Sequence, residues 1–289
     1  EEMAANVTER TNGKITWNPD FKNKVSLNLY YGDDYINYWA DNQEGKHHFA
    51  NTWGKWLIAG HWNSALSNRS YMSNSLSFTR YRLKDVSKYS LTSEDENKSY
   101  FQKNLSSIQE VAVRSSVKHQ MIKNWKTEVG LQSSLLYFLP AYSTNSTVSN
   151  KSRNFIKAFE TALYLENRIK LDFTTIDAGM RFIHYNSDNY SDFAAEPRLN
   201  ISINLFKNQS FNLSYMDVNQ YSHLLITPGN IASNEIWIPS NKKIQPAYSS
   251  QYALGWKSNY KQRRYSAELS LFYKDLNNLS TYKEGYILY

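Results

Sequence analysis

The sequence contains no cysteine, so neither a disulfide framework nor a thiolate metal site is available to it. Glycine is scarce, at 10 of 289 residues, which excludes a collagen-like repeat and a β-helix. No stretch approaches the ~18 to 20 consecutive apolar residues of a transmembrane helix, and this excludes helical membrane spans. A membrane-spanning β-strand stays open, because its signal is alternation rather than a long apolar run.

The charge of the chain is positive, with 33 Lys and Arg against 26 Asp and Glu and a formal net charge of +7. The basic residues are scattered over turns and strand ends instead of forming a stripe, so the charge does not predict nucleic-acid binding. Aromatic residues are abundant, with 23 Tyr and 8 Trp. Their rings carry an apolar body and a polar group, which suits a boundary between a lipid and a wet region.

Alternation of apolar with small polar residues recurs along most of the chain. In the segment 196–220, Leu199, Ile201 and Ile203 alternate with Asn and Ser, and after a polar step Phe211 and Leu213 do the same. Similar alternation occurs at 25–31, 56–62, 111–117, 125–135, 176–182, 252–256 and 265–273. A period of two predicts β-strands, about twelve in all, most of them near the ~9 to 11 residues of a tilted bilayer-spanning strand.

The intervals between these strands are alternately short and long. The short intervals are 18–23, 67–70, 207–209 and 261–263, and the long polar ones are 38–48, 84–106, 139–154 and 224–248. This rhythm predicts an antiparallel up-and-down meander whose long loops all lie at one end.

A soluble β-sandwich also alternates, but its strands are commonly about five or six residues long and its solvent face is rich in Lys and Glu. Here the strands are longer and the polar face is mostly Ser, Asn, Thr and Gln. The charged exceptions all fall on that polar face: Glu110, Arg114, Glu128, Asp177, Arg181, Glu268 and Lys274. A Lys or Arg facing lipid at mid-depth costs about 2 to 4 kcal/mol, so the pattern favours a transmembrane β-barrel with a wet lumen.

Several ordered phrases resemble the barrel of TonB-dependent outer-membrane receptors of the Bacteroidetes type. They are "TWGKWLIAGHWNS" (52–64), "SLSFTRYR" (75–82), "ALYLENRIKLDFTTIDAGMRFIHY" (162–185), "EPRLNISINL" (196–205), "NQYSHLLI" (219–226), "EIWIPSNKKIQPAYSSQYALGW" (235–256) and "LFYKDLNNL" (271–279). The resemblance implies a multi-pass protein of the Gram-negative outer membrane. It also implies a 22-stranded barrel closed by an N-terminal plug domain, with energy delivered through the TonB complex.

The resemblance defines the expected domain organisation. Nothing in the chain looks like a plug or a TonB box, and about twelve strands supply only part of a 22-stranded barrel. We therefore expect residues 1–289 to form one partial, internal portion of the transmembrane barrel domain. The TonB complex would then act through a plug that is absent from this chain.

No catalytic motif is present: there is no HExxH zinc helix, no GxSxG elbow and no phosphate-binding glycine loop. We expect no enzymatic activity, no cofactor and no metal site. The predicted function is TonB-dependent uptake of a scarce or large ligand, namely a siderophore, haem, cobalamin, a peptide or a glycan. A passive outer-membrane channel and a structural barrel subunit of a larger assembly are the alternatives. Outer-membrane lipid and a surface lipoprotein are the other candidate partners.

Candidate ligand-binding residues lie in the predicted external loops. Trp237 stands in a proline-containing loop at 224–248, with Tyr221 and His223 just before it, and an exposed Trp there would serve as a ligand platform or as a packing anchor. His47 and His48 are adjacent in the loop 38–48, and adjacent residues of an extended chain point opposite ways and do not chelate one metal. Arg181, Arg198 and Glu196 would face the lumen, and the resemblance implies that such charges face the plug.

Overall fold

The computed structural model describes residues 2–42, 45–92, 97–145, 154–206, 208–226, 235–260 and 264–281. Within them lie fourteen β-strands: β1 (Glu2–Trp17), β2 (Asn23–Asn42), β3 (Gly45–Ser67), β4 (Ser70–Thr92), β5 (Asn97–Ile122), β6 (Trp125–Asn145), β7 (Ile156–Lys170), β8 (Thr174–Ser187), β9 (Tyr190–Phe206), β10 (Gln209–Gln220), β11 (Ser222–Ile226), β12 (Glu235–Pro239), β13 (Ala247–Tyr260) and β14 (Tyr265–Asn277).

Twelve strands form one antiparallel sheet in the order β1-β2-β3-β4-β5-β6-β7-β8-β9-β10-β13-β14, so every neighbour in the sheet is also the next of these strands along the chain. The all-β, up-and-down fold and the number of about twelve strands are thus confirmed. Strands β11 and β12 pair with each other as a separate hairpin. Among the described residues, β1 and β14 have no further strand on their outer edges.

No helix in the described ranges is long and apolar enough to cross a membrane.

Short turns join the strands at one end of the sheet. The β1–β2 turn is fixed by Asp20, whose carboxylate accepts the backbone N–H groups of Lys22 and Asn23 at 2.7 and 2.8 Å. At the opposite end, β8 and β9 are joined by a two-residue turn in which Asp188 adopts the left-handed region, with φ 46°. A short polar residue tolerates that conformation, and the turn is an exception to the predicted run of long loops at this end.

The predicted long loops are largely wrong, because the strands continue through them. β2 to β6 are 20 to 26 residues long, whereas β7 to β10 have 12 to 17 and β13 and β14 have 14 and 13. Only short parts of three predicted loops lie outside the described residues. These parts are 93–96 within the interval 84–106, 146–153 within 139–154, and 227–234 within 224–248. These extensions lack a regular alternation of apolar with polar residues, because the backbone ladder holds them together without a continuous apolar face.

The two faces of the sheet differ as the alternation predicts. On one face, large aliphatic side chains such as Val129, Leu163 and Leu271 are more than half exposed, and in the described residues no second layer covers them. The other face carries small polar and charged side chains. The buried apolar residues collect on this second face near the end opposite the short turns, here called the long-loop end. There Leu136, Phe138, Ile183 and Tyr185 pack together with Tyr221.

Candidate functional site

The polar face of the sheet forms an inner wall whose side chains are arranged in rows by the strand register. One row places Lys118, Glu128 and Glu166 opposite one another on β5, β6 and β7 and continues to Gly179 and Arg198. The row nearer the turns pairs Arg168 with Asp177 across β7 and β8. Residues directly opposite in an antiparallel pair point to the same face, so these charges share the inner wall.

A cavity of about 830 Å³ lies against this wall near the short turns and is lined from β3 to β10. Two ion pairs border it. The Lys118 ammonium is 3.1 Å from the Glu128 carboxylate, and the Arg168 guanidinium donates two hydrogen bonds to Asp177, at 2.5 and 3.1 Å. Bidentate pairing of this kind fixes the geometry of both side chains.

A second cavity, of about 260 Å³, is lined by Arg114, Glu128, Gln132, Tyr164, Glu166, Met180, Arg181 and Arg198. Its cations also have partners: Arg114 donates to Gln132 at 2.9 Å, and Arg181 lies 3.0 Å from Glu160. The named cations of these two cavities therefore have hydrogen-bond or ion-pair partners. The wall is a hydrated surface without a strong electric field of one sign.

The predicted wall residues lie at this site. Arg181 and Arg198 line the smaller cavity, and Glu196 is the cross-strand partner of Arg181. Glu196 is only 1% exposed; one carboxylate oxygen accepts the backbone N–H of Asn219 at 2.6 Å, and the other lies 3.5 Å from Arg198. The ladder between β9 and β10 ends at Arg198 and Met216, so Glu196 continues the connection between these strands where backbone pairing stops. Contact of these residues with a plug stays a prediction.

At the long-loop end, the β11–β12 hairpin folds back against the inner wall. Tyr221 stacks on Tyr185 of β8 with 4.3 Å between ring centroids, and its hydroxyl donates to Asp192 at 3.0 Å. His223 hydrogen-bonds Ser240 at 2.8 Å, and burial lowers the pKa of its imidazole. Trp237 meets Tyr81 of β4 edge-on at 6.4 Å, and its indole N–H is buried without a hydrogen-bond partner in the described part of the chain.

The structure thus places His223 and Trp237 in one hairpin with Tyr221 directly before it, and Tyr221 and His223 are almost fully buried. Of the two roles the sequence left open for Trp237, the packing contact with Tyr81 is seen directly. Ligand binding by these three residues stays a prediction.

Two carboxylates where the hairpin meets β4 were not predicted from the sequence. The Tyr81 hydroxyl donates to Glu235 of β12 at 2.5 Å, and the Asn51 amide donates to Asp85 at 2.6 Å. Burial, together with the nearby charge of Glu235, raises the pKa of Asp85 to about 7. No sequence signal could have joined these residues, because Asp85 and Glu235 are 150 positions apart and neither belongs to a motif.

His47 and His48 lie on β3 and not in a loop, so their predicted setting is wrong although their opposite orientation is confirmed. His47 packs against Tyr89 at 4.1 Å, and His48 stacks on Trp39 at 5.2 Å. Burial and the charge of Lys88 lower the pKa of His48. In the described ranges, no group of three or more His, Asp or Glu side chains could hold a metal ion.

The model of the TonB-dependent receptor-like β-barrel family matches residues 4–287 of this sequence. The chain belongs to that family. Its members are receptors and transporters of the bacterial outer membrane, so the aliphatic face of the sheet is the lipid-facing surface and the polar face is the lumen wall. No curated protein sequence matches the chain.

Solved structures share the fold at low sequence identity. The copper transporter OprC is 10% identical with a TM-score of 0.66, and the match covers 93% of this chain and 45% of OprC. The RagAB peptide transporter is 9% identical with a TM-score of 0.53, and the match covers 93% of this chain and 44% of the RagAB chain. FpvA of P. aeruginosa bound to pyoverdines is 11% identical with a TM-score of 0.52, and the match covers 94% of this chain and 47% of FpvA. This TonB-dependent receptor barrel chain spans about half the length of these structures.

Proposed function

We propose that the protein takes up a scarce or large ligand across the bacterial outer membrane, with energy supplied through TonB. The family match over residues 4–287 carries this proposal. The inner wall supports it, because paired charges and small polar groups let a hydrated solute pass without one deep electrostatic trap. The barrel would supply a rigid, polar passage and no covalent chemistry, and we infer that the protein is not an enzyme.

We further propose that residues 1–289 act as one barrel portion and that a plug domain elsewhere in the protein contacts TonB and the wall at Arg181, Arg198 and Glu196. A surface lipoprotein would be an additional partner. The ligand classes that we propose are those of the resemblance: a siderophore, haem, cobalamin, a peptide or a glycan. OprC is named for copper and RagAB for peptides.

For ligand capture we propose the β11–β12 hairpin. Its Trp237 indole N–H is a donor without a partner in the described residues, so a ligand oxygen that reached it would gain a hydrogen bond. Because Tyr221 and His223 are buried where the hairpin packs against the inner wall, ligand capture by these residues would require the hairpin to move. His47 and His48, each packed against an aromatic ring of a neighbouring long strand, are the second proposed contact region.

Uptake assays test the proposed function. Cells that depend on this receptor are given each ligand class at limiting concentration, with and without TonB and with and without a protonophore. TonB-dependent uptake requires the signal to disappear in both treated samples. Uptake that persists without energy coupling identifies a passive channel, and recovery of stoichiometric additional subunits without any uptake identifies a structural barrel.

A further inference from the structure

Five cations lie on the lipid-facing side of the sheet just beyond its apolar band, toward the long-loop end. They are Arg80, Arg82 and Lys84 of β4, Lys103 of β5 and Lys157 of β7, here called the basic patch. Lys88 lies on the same face of β4 farther toward the strand end, over the Phe101 ring. The face is set by alternation, because the side chains of β4 that precede Arg80 on this face are Leu76 and Phe78. Cross-strand register places Gln109 and Tyr137 in the row that joins Arg80 to Lys157.

Carboxylates are few around the basic patch. On this face of β4 to β7, beyond the apolar band, the described residues include no Asp or Glu. The nearest carboxylate that pairs with the patch is Asp33 of β2, which lies 3.0 Å from the Arg82 guanidinium. Gly54 makes this pair possible: a Cβ there would lie 2.4 Å from the Asp33 carboxylate and 2.6 Å from Arg82 Nε.

Arg80, unlike Arg82, has no ion pair within the described part of the chain, and its buried Nε–H makes no hydrogen bond there. A guanidinium with unused donors in a half-buried position gains most from an anion that accepts two hydrogen bonds at once. Phosphate is such an anion.

Aromatic side chains fix the depth of the basic patch. Trp56 is the cross-strand partner of Arg80, is 45% exposed, and meets Tyr31 edge-on at 5.7 Å. The Lys157 ammonium lies 5.8 Å from the centroid of the Tyr137 ring. Trp and Tyr collect where hydrocarbon meets headgroups, so the cations beside them and directly beyond them lie at headgroup depth.

We propose that the basic patch is a binding site for the phosphate groups of outer-leaflet lipids. The short turns of an outer-membrane barrel lie on the periplasmic side, so the opposite end faces the cell exterior, which assigns the patch to the outer leaflet. Arg80 and Lys84 provide the main contacts, Arg82 is shared with Asp33, and Lys103 and Lys157 extend the site across β5 and β7. This site is independent of the transported ligand, because it lies on the opposite side of the wall from the lumen.

The test uses the intact receptor, purified from outer membranes, delipidated in detergent and titrated with bisphosphorylated lipid A under native mass spectrometry. The variant is Arg80→Gln with Lys84→Gln. The matched control is Lys22→Gln with Lys123→Gln, which removes two exposed cations at the short-turn end. A juxtamembrane cation contributes about 1 kcal/mol to binding an anionic lipid surface, so we expect the patch variant to bind lipid A about 10- to 30-fold more weakly and the control variant to bind as wild type.

Two further ligands, dephosphorylated lipid A and inorganic phosphate, test whether the patch recognises phosphate groups carried by a lipid. We expect wild type to lose its preference for lipid A when the phosphates are removed, and inorganic phosphate at the same phosphate concentration not to displace the lipid. The proposal is overturned by equal binding of the two lipid forms, by equal loss in the control variant, by unchanged binding in the patch variant, or by displacement with free phosphate. Unchanged melting temperature of both variants shows that folding is intact.

Discussion

At the residue scale, the room for large side chains on the inner wall is decided by glycine. The Tyr164 ring lies across Gly130 of the neighbouring strand and its hydroxyl donates to Glu128 at 3.3 Å, so a Cβ on Gly130 would lie 2.2 Å from the ring. At Gly255, also on the inner wall, an added Cβ would lie 3.6 Å from Asn212, an ordinary van der Waals contact. Two glycines that look alike in an alternating sequence therefore have different roles.

We predict that Gly130→Ala destabilises the barrel by about 1–3 kcal/mol, because the added methyl group displaces the tyrosine from a packed position. Gly255→Ala is the matched control and should be neutral or slightly stabilising, because alanine costs less backbone entropy than glycine within a strand. Urea unfolding in vesicles measures both. In a Tyr164→Ala background the Gly130→Ala penalty should vanish; a penalty that persists there contradicts the assigned contact.

At the element scale, the β11–β12 hairpin is the part of the molecule that depends most on tertiary contacts. Its two strands have five residues each and are separated along the chain by 227–234, outside the described residues. An isolated hairpin of this size is only marginally stable. It is held by Tyr221 on Tyr185, by Trp237 on Tyr81 and by the hydrogen bond from Tyr81 to Glu235.

The protonation of Asp85 should control how tightly this hairpin is docked. The pKa of Asp85 is raised from 3.8 to about 7 by burial and by Glu235, so the docked state binds the proton more strongly than the released state. Its favourable contribution is full below about pH 4, is lost as the pH rises to about 7, and changes little above that. Hydrogen exchange of residues 222–226 and 235–239, corrected for intrinsic rates, should show weaker protection at pH 8 than at pH 5.

Asp85→Asn provides the control for this pH dependence, because an amide of the same size does not titrate. Buried His223, whose pKa is lowered, acts in the opposite direction and is present in both proteins, so the difference between them isolates Asp85. The same loss of protection between pH 5 and pH 8 in both proteins would rule out Asp85 as the controlling group.

At the scale of the whole molecule, one face of a single sheet meets lipid and the other meets water. Leu213, Leu254 and Leu271 form a continuous row across β10, β13 and β14 on the outer face, whereas Ala253 faces the lumen beside Leu254. Neighbouring positions of one strand therefore experience opposite environments.

We predict that Leu254→Arg destabilises the barrel in vesicles by about 2–4 kcal/mol, because a guanidinium on the lipid face at mid-depth loses its hydration. Ala253→Arg, one residue away and on the wet face, should cost well under half of that. Denaturant titration of both variants in the same vesicles measures the difference. Equal penalties would mean that the face assignment, and with it the barrel interpretation, is wrong.

The sequence by itself determined the alternation, the number of strands in the main sheet, the up-and-down order and the family, because a period of two and the turn residues act locally along the chain. It also identified Arg181, Arg198 and Glu196 as wall residues, since their face follows from the same period. Only the tertiary structure decided how far β2 to β6 extend, since polar extensions are held by backbone ladders that leave no apolar pattern. Only the tertiary structure shows that the hairpin folds inward and that Asp85 lies near Glu235. Contacts between residues so distant in sequence depend on barrel curvature and not on local spacing.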